Sequence, residues 1–265
     1  MDDPDAARKA SGALEHVSAG AVHVFTALGI ICALFATMAV MEQAWERVFA
    51  WLGLALLIDG IDGTFARMSK VEERLPRFSG ERLDQVIDYI TYVFIPVLAL
   101  LQAGHLTGVL GLGLAFAILM SSLFHFSDLG NKSEDHCFVG FPAIWNIVAF
   151  YLFALAPPFW IEALVIVACV VLTFVPMRWV HPMRVVAYWQ ITAAACVLWG
   201  MAAAWTIWRG FPAHAASQGI LIGVGLYGMG LSLIWPWSKT MPEAKYEGRP
   251  RIPRATRSRR GNRRK

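Results

Sequence analysis

Charged residues are scarce in this chain of 265 residues, since Asp, Glu, Lys and Arg together make up 16% of it. An average soluble protein has about 25%. Hydrophobic residues, in contrast, account for 57% of the chain. The core of one soluble domain of this length is too small to bury so many apolar residues. The composition therefore indicates an integral membrane protein.

Cysteine motifs and a cleavable signal are also missing. The four cysteines fall mostly within apolar runs and show no CxxC spacing. We therefore expect buried structural cysteines without disulfides. The N-terminus, MDDPDAARKASGALEH, is polar and acidic and lacks the basic region and short apolar core of a secretory signal, so we expect no signal cleavage here.

Long apolar runs are what the chain does have. A run of about 20 apolar residues spans a bilayer as a helix. The sequence therefore predicts an all-α, polytopic membrane helical bundle with about eight transmembrane helices. The candidate spans are residues 18–41, 44–60, 83–103, 106–126, 140–157, 159–177, 185–207 and 216–236.

Lys and Arg are distributed unevenly between the two ends of these spans. If the N-terminus is cytoplasmic, 21 of the 23 lie on the cytoplasmic side, and Arg47 and Arg209 lie on the other. Positive charge accumulates on the cytoplasmic side of membrane proteins. The pattern predicts cytoplasmic termini, with an N-terminal segment over 1–17, a membrane domain over 18–238 and a tail over 239–265.

The tail contains KYEGRPRIPRATRSRRGNRRK, which is basic, interrupted by proline and without a periodic apolar face. This composition predicts disorder, together with attraction to the anionic lipid of the inner leaflet. Nucleic-acid binding is the alternative for an arginine-rich tail. Beside eight membrane spans, we expect anionic lipid as the partner and no nucleic acid.

Two pairs of aspartates lie at the cytoplasmic ends of the second and third spans. Asp59 and Asp62 are three residues apart, and Asp84 and Asp88 are four apart, so each pair shares one face of a helix. Ionisable residues are costly at a membrane span and are commonly functional. Two antiparallel helices would bring all four carboxylates into one small volume at the membrane surface.

Four clustered carboxylates cannot all remain ionised without a cation. Hard divalent cations take oxygen ligands, and the lack of His and Cys among these positions favours magnesium, calcium or manganese over zinc. Paired metals suit phosphoryl transfer. Gly63, Ala66 and Gly80 leave room for a ligand, and Arg67 offers a planar cation for phosphate. The alternative is a set of solvated aspartates paired with nearby basic residues.

The order of these residues is Asp59-x2-Asp62-Gly63-x2-Ala66-Arg67, then Gly80-x3-Asp84-x3-Asp88. It resembles the signature of the CDP-alcohol phosphatidyltransferase family, integral membrane enzymes that make phospholipids. The twelve residues between Arg67 and Gly80 make a longer spacer than the family usually has. AGAVHVFTALGIICAL and DHCFVGFPAIWNIVAFYL resemble the branch of bacterial phosphatidylcholine synthases.

The resemblance implies a role for each motif residue. Asp59, Asp62, Asp84 and Asp88 would bind two Mn²⁺ or Mg²⁺ ions that hold the diphosphate of CDP-diacylglycerol, and Asp88 would also act as the catalytic base. Gly63, Ala66, Arg67 and Gly80 would line the nucleotide and phosphate site. Choline would attack and CMP would leave. The resemblance also implies a bacterial inner-membrane enzyme and suggests a homodimer, and the distribution of Lys and Arg predicts that the active site faces the cytoplasm.

The acceptor site is less constrained by the sequence. Choline carries a quaternary ammonium, which aromatic faces bind. The candidates are Tyr89, Tyr92, Phe141, Trp145 and Asn146. Packing is the alternative role for each, because aromatics are 12% of the chain. Serine, glycerol 3-phosphate or inositol phosphate remain alternative acceptors, since several cytoplasmic arginines would suit a phosphorylated one.

Two further classes of protein remain open at this point. A carboxylate-coupled transporter would contain repeats and broken helices near the bilayer midplane, whereas these aspartates fall at span ends. A membrane scaffold that recruits partners through its basic tail would leave the four aspartates unexplained.

Overall fold

The structure, a computed structural model, describes residues 4–69, 79–128, 138–175, 178–179 and 189–234. Within these ranges the chain forms eight helices and one pair of two-residue antiparallel strands, β1 (Phe138–Val139) and β2 (Arg178–Trp179). The predicted all-α membrane bundle is confirmed, with eight helices in the described residues, and the cytoplasmic position of both termini stays a prediction. The helices are α1 (Pro4–Met41), α2 (Trp45–Ser69), α3 (Gly80–Gln102), α4 (Gly108–Ser127), α5 (Trp145–Leu155), α6 (Phe159–Phe174), α7 (Trp189–Arg209) and α8 (Ala215–Ile234).

Five of these helices contain stretches long and apolar enough to cross a membrane: His23–Met41, Gly80–Gln102, Gly108–Ser127, Trp189–Arg209 and Ala215–Ser232. The helices α5 and α6 are apolar but shorter. Large apolar side chains point away from the protein, including Val109 at 91% exposure and Trp208 at 72%. Such surfaces suit lipid rather than water, so the chain is a multi-pass membrane protein.

Local sequence explains where several helices begin and end. Ser79 caps α3, because its hydroxyl accepts a hydrogen bond from the backbone N–H of Arg82 at 3.3 Å. Helix α5 ends where Ala156 adopts a left-handed conformation. Pro157 and Pro158 follow and cannot continue the helix, so α6 starts directly after them.

A π-helical turn, Tyr89–Phe94, interrupts α3 directly after Asp88. Pro96 explains it locally, because proline lacks an N–H and its ring would clash with the carbonyl four residues earlier, at Tyr92. The wider turn accommodates this: the N–H of Ile95 bonds to the carbonyl of Ile90, five residues before it. Such turns are frequent at functional sites.

The end of the bundle away from the aspartates is packed with aromatic rings and contains a hydrogen-bonded contact between His105 and Glu162. Helix α3 runs from Gly80 at the aspartate end to Gln102 at the other, where His105 Nδ1 lies 2.6 Å from Glu162 Oε1. Nearby, the rings of Phe49 and Phe153 pack edge to face with centroids 5.0 Å apart. These contacts join α2 to α5, and the segment after α3 to α6, at the end of the bundle opposite the aspartates.

Gly140 joins the segment before α5 to the end of α6. It has a φ of +81°, and an added Cβ would overlap the carbonyl oxygen of Thr173. The next residue, Phe141, donates its backbone N–H to the carbonyl of Leu172 at 3.0 Å. A glycine is required here because the backbone of one segment lies directly on the other.

We expect Gly140→Ala to lower the free energy of unfolding by about 2 kcal/mol or more, from backbone strain and overpacking. Gly113→Ala is the matched control, because Gly113 lies inside α4 with open space around it, and alanine favours a helix. Thermal unfolding of both purified variants in detergent measures the difference. Equal stability of the two variants would contradict this account of the segment.

Candidate active site

Three of the four predicted aspartates come together between two helices. Asp59 comes from α2, and Asp84 and Asp88 come from the first turns of α3. One carboxylate oxygen from each lies within 4.8 Å of the others, and all three side chains are half-buried. The spacing of four residues between Asp84 and Asp88 puts both on the face of α3 that meets α2.

A small, partly open cavity lies beside these carboxylates, between α1, α2 and α3. Its volume is about 10 Å³, roughly the room that one water molecule needs. Gly29 brings α1 close to α3, since an added Cβ would lie 2.7 Å from Ile87 Cγ2. The cavity is lined by Thr26, Gly29, Ala55, Ile58, Asp59, Asp84, Ile87, Asp88 and Thr91.

The donor set fits a hard divalent cation. Its ligand atoms are all carboxylate oxygens, which Mg²⁺ and Mn²⁺ prefer. Oxygen ligands lie about 2.0–2.6 Å from hard cations, so oxygens within 4.8 Å of one another can share one ion. The small cavity suits an ion rather than a larger ligand.

Tyr92 contacts this cluster directly. Its hydroxyl donates a hydrogen bond to Asp59 Oδ2 at 2.5 Å, and its side chain is buried with 7% exposure. Tyr92 belongs to the π-helical turn of α3, four residues after Asp88. The sequence marks Tyr92 as a candidate aromatic for the acceptor, but it does not indicate this contact across two helices.

The rest of the first motif lies further along α2. Asp62, Gly63, Ala66 and Arg67 fall within this helix, but their side chains lie outside the described residues. Residues 70–78, most of the long spacer before α3, lie outside them as well. The assignments of these four residues remain predictions.

Gly80 is the first residue of α3 and lies against α1. An added Cβ would be 3.0 Å from Cε1 of His23, so the imidazole covers the glycine closely. The sequence indicates Gly80 as a place of close approach. The structure shows that the neighbour is His23 of α1, a helix that carries none of the motif residues. Thr26 and Gly29 of the same helix line the cavity. The sequence motif does not predict them at the site, although the first span resembles that of the bacterial phosphatidylcholine synthases.

The predicted acceptor residues other than Tyr92 pack around α4 and α5. The hydroxyl of Tyr89 donates to the carbonyl of Leu119 at 3.1 Å. The indole N–H of Trp145 donates to Ser122 Oγ at 2.8 Å, and its ring lies edge to face with Phe141, centroids 5.2 Å apart. Phe141, Trp145 and Asn146 are all buried. Their role in acceptor binding stays a prediction.

Comparisons with known proteins agree with this geometry. The family described as CDP-alcohol phosphatidyltransferase matches residues 22–175, more than half of the chain and the part that contains every motif aspartate. A phosphatidylcholine synthase of Bradyrhizobium diazoefficiens is 44% identical over 191 residues, 72% of this chain and 71% of the relative. One from Rhizobium meliloti is 36% identical over 219 residues (82% and 91%), and one from Pseudomonas aeruginosa is 41% identical over 186 (70% and 78%). The chain therefore belongs to the CDP-alcohol phosphatidyltransferase family.

Proposed function

We propose that this phosphatidyltransferase transfers the phosphatidyl group of CDP-diacylglycerol to choline, with release of CMP and formation of phosphatidylcholine. The observation that carries the proposal is the convergence of Asp59, Asp84 and Asp88 within the family signature. The relatives described above, which are named phosphatidylcholine synthases, support choline as the acceptor. A transporter or a scaffold explains neither the signature nor these relatives.

In the proposed reaction, the choline hydroxyl attacks the phosphorus that carries diacylglycerol. A new bond forms between the choline oxygen and that phosphorus, and the bond from the phosphorus to the oxygen of CMP breaks. Asp88 accepts the hydroxyl proton as general base, which requires it within hydrogen-bond reach of the acceptor. CMP leaves with the bridging oxygen, and Arg67 stabilises the negative charge on the phosphates.

The family is metal-dependent, and the chain has an aspartate cluster for a metal. We assign Mn²⁺ or Mg²⁺ to it, two ions per active site, bound by Asp59, Asp62, Asp84 and Asp88. Bound cations of this kind neutralise the diphosphate and stabilise the entering and leaving oxygens. In addition, Gly63, Ala66, Arg67 and Gly80 line the site for the cytidine and the phosphates.

We assign binding of the acceptor to the aromatic side chains near the site. Tyr92 and Tyr89 follow Asp88 on α3, and Phe141 and Trp145 pack at the same end of the bundle. A quaternary ammonium is attracted to aromatic faces and cannot donate hydrogen bonds. Serine, glycerol 3-phosphate and inositol phosphate lack such a group, and each would be recognised by polar or basic residues instead.

The experiment that tests the proposal compares acceptors directly. Purified protein receives CDP-diacylglycerol and Mn²⁺ with choline, serine or glycerol 3-phosphate, and both CMP and the lipid product are quantified. CMP release that depends on choline, with phosphatidylcholine as the product, supports the proposal. Release with another acceptor alone would retain the phosphatidyltransferase and overturn the choice of choline.

We place the enzyme in the bacterial inner membrane with its active site facing the cytoplasm. The uneven distribution of Lys and Arg supports this placement. Gly210 follows Arg209, and Glu46 precedes Arg47. These two neighbours lie close together, since a Cβ added to Gly210 would be 3.4 Å from Glu46 Oε1. The two arginines assigned to the outer side thus lie at neighbouring helix ends, the start of α2 and the end of α7, away from the aspartates. The homodimer remains a suggestion from the family resemblance.

We assign catalysis to the membrane domain (18–238), not to the N-terminal segment (1–17) or to the basic tail (239–265). Truncation after Ser238 is therefore expected to retain catalysis in detergent, and to weaken attraction to anionic lipid, which is worth about 1 kcal/mol per basic residue near the surface. CMP release and stimulation by anionic vesicles, measured for the full and truncated chains, test this. Loss of activity in detergent would contradict the domain assignment.

A further inference from the structure

The contact between Tyr92 and Asp59 joins the two helices that carry the aspartates. The hydroxyl of Tyr92 donates to Asp59 Oδ2 at 2.5 Å. The tyrosine side chain is almost fully buried, while the aspartate is half-buried at the edge of the cavity. A buried hydroxyl without a partner is costly, and more so in a membrane, so the contact stabilises this arrangement of α2 and α3.

We infer that Tyr92 is a positioning residue for the metal site, which orients the Asp59 carboxylate by donating a hydrogen bond to one of its oxygens. This inference rests on the proposed role of Asp59 as a metal ligand. An ionised carboxylate accepts several bonds through its two oxygens. A hydroxyl on one oxygen therefore limits rotation of the carboxylate and leaves the other oxygen able to bind a cation.

The backbone of α3 explains why Tyr92 reaches this carboxylate. Tyr92 lies within the π-helical turn that begins directly after Asp88. The π-helical turn contains an extra residue compared with an α-helical one, so it changes which side chains after Asp88 face α2. Helix α3 thus supplies Asp88 as a metal ligand, and it also supplies Tyr92, which orients the metal ligand Asp59 of α2.

Partners that hydrogen-bond to metal ligands typically change metal affinity or activity by about 10–100-fold when they are removed. We therefore expect Tyr92→Phe, which keeps the buried ring and removes only the hydroxyl, to weaken Mn²⁺ binding by about 10-fold or more. Titration of the full-length protein in detergent with Mn²⁺, followed by the electron paramagnetic resonance signal of the free ion, measures this without turnover.

Tyr151→Phe is the matched control. Its hydroxyl is also hydrogen-bonded inside the protein, donating to the carbonyl of Leu221 at 2.7 Å and accepting from Trp199 Nε1 at 2.9 Å. It therefore reproduces the loss of an internal hydroxyl without a carboxylate partner. We expect this variant to bind Mn²⁺ with the affinity of the unmodified protein.

A double-mutant cycle separates positioning from a general structural role. If Tyr92 acts through Asp59, Tyr92→Phe will not weaken Mn²⁺ binding further in an Asp59→Asn background. Additive losses of Mn²⁺ affinity in the double variant would overturn the inference. It would also be overturned if Tyr92→Phe bound Mn²⁺ as tightly as the unmodified protein while Asp84→Asn bound it weakly. Absence of Mn²⁺ binding by the unmodified protein would instead overturn the metal site itself, and the inference with it.

Discussion

Replacement of Asp88 by Asn is expected to reduce CMP release by about 10³-fold or more. A general base contributes about 10²–10⁴-fold, and this variant also removes a negative charge from the metal site. The amide has nearly the shape of the carboxylate, so the helix α3 and its contacts are expected to remain. The measurement is CMP release from CDP-diacylglycerol with saturating choline and Mn²⁺.

A carboxylate at the other end of the bundle supplies the control. Glu42 forms an exposed ion pair with Arg47, and we expect Glu42→Gln to keep full activity, because exposed ion pairs contribute little. Asp84→Asn should lose activity in the same way as Asp88→Asn. Size-exclusion profiles establish that each variant is folded. Normal turnover by folded Asp88→Asn or Asp84→Asn would rule out the aspartate cluster as the catalytic centre.

Removal of divalent cations is expected to abolish turnover completely. Without them, the carboxylates of the cluster repel one another and the substrate diphosphate. We expect Mn²⁺ or Mg²⁺ to restore activity after treatment with EDTA and dialysis, and Zn²⁺ to restore much less, since the ligands are hard oxygens. Asp59→Asn should raise the Mn²⁺ concentration for half-maximal activity by about tenfold or more, because it removes a charged oxygen ligand.

Ionic strength is the variable to control in this experiment, because salt also screens the attraction between the protein and charged lipid. Parallel samples with NaCl at matched ionic strength provide that control and should show no restoration. Undiminished turnover after EDTA treatment, with no metal detected by elemental analysis, would contradict the metal site.

The lengths of the apolar runs predict most of the fold, because a chain that crosses a membrane must form apolar helices that satisfy their own backbone hydrogen bonds. The apolar runs 106–126 and 216–236 correspond to α4 (Gly108–Ser127) and α8 (Ala215–Ile234). Helix α1 begins at Pro4, well before the apolar run at 18–41. Apolarity indicates where a helix enters the membrane, and it does not show where the helix itself starts.

The run 140–157 shows what apolarity alone misses. The helix there extends only from Trp145 to Leu155. Gly140 and Ala143 both have positive φ, and Ala156 is left-handed at the other end. These residues are as apolar as the helix, so hydropathy does not distinguish them, whereas backbone conformation does.

The sequence predicts those parts of the site that depend on the geometry of a single helix. Asp84 and Asp88 are four residues apart, and this spacing alone places them on one face. The contact of Tyr92 with Asp59, and the approach of Gly29 to Ile87, depend on the relative register of two helices. Side-chain packing decides that register, and a single sequence does not reveal it.

The most direct test of the proposed reaction follows one phosphorus atom. CDP-diacylglycerol labelled with ³²P at the phosphorus next to diacylglycerol is incubated with the protein, Mn²⁺ and choline, and lipid and nucleotide are separated. The proposed attack predicts all transferred label in phosphatidylcholine and unlabelled CMP in equal amount. Label in the nucleotide, or phosphatidylcholine without label, would show that a different bond breaks and would contradict the phosphatidyl transfer proposed for this aspartate cluster.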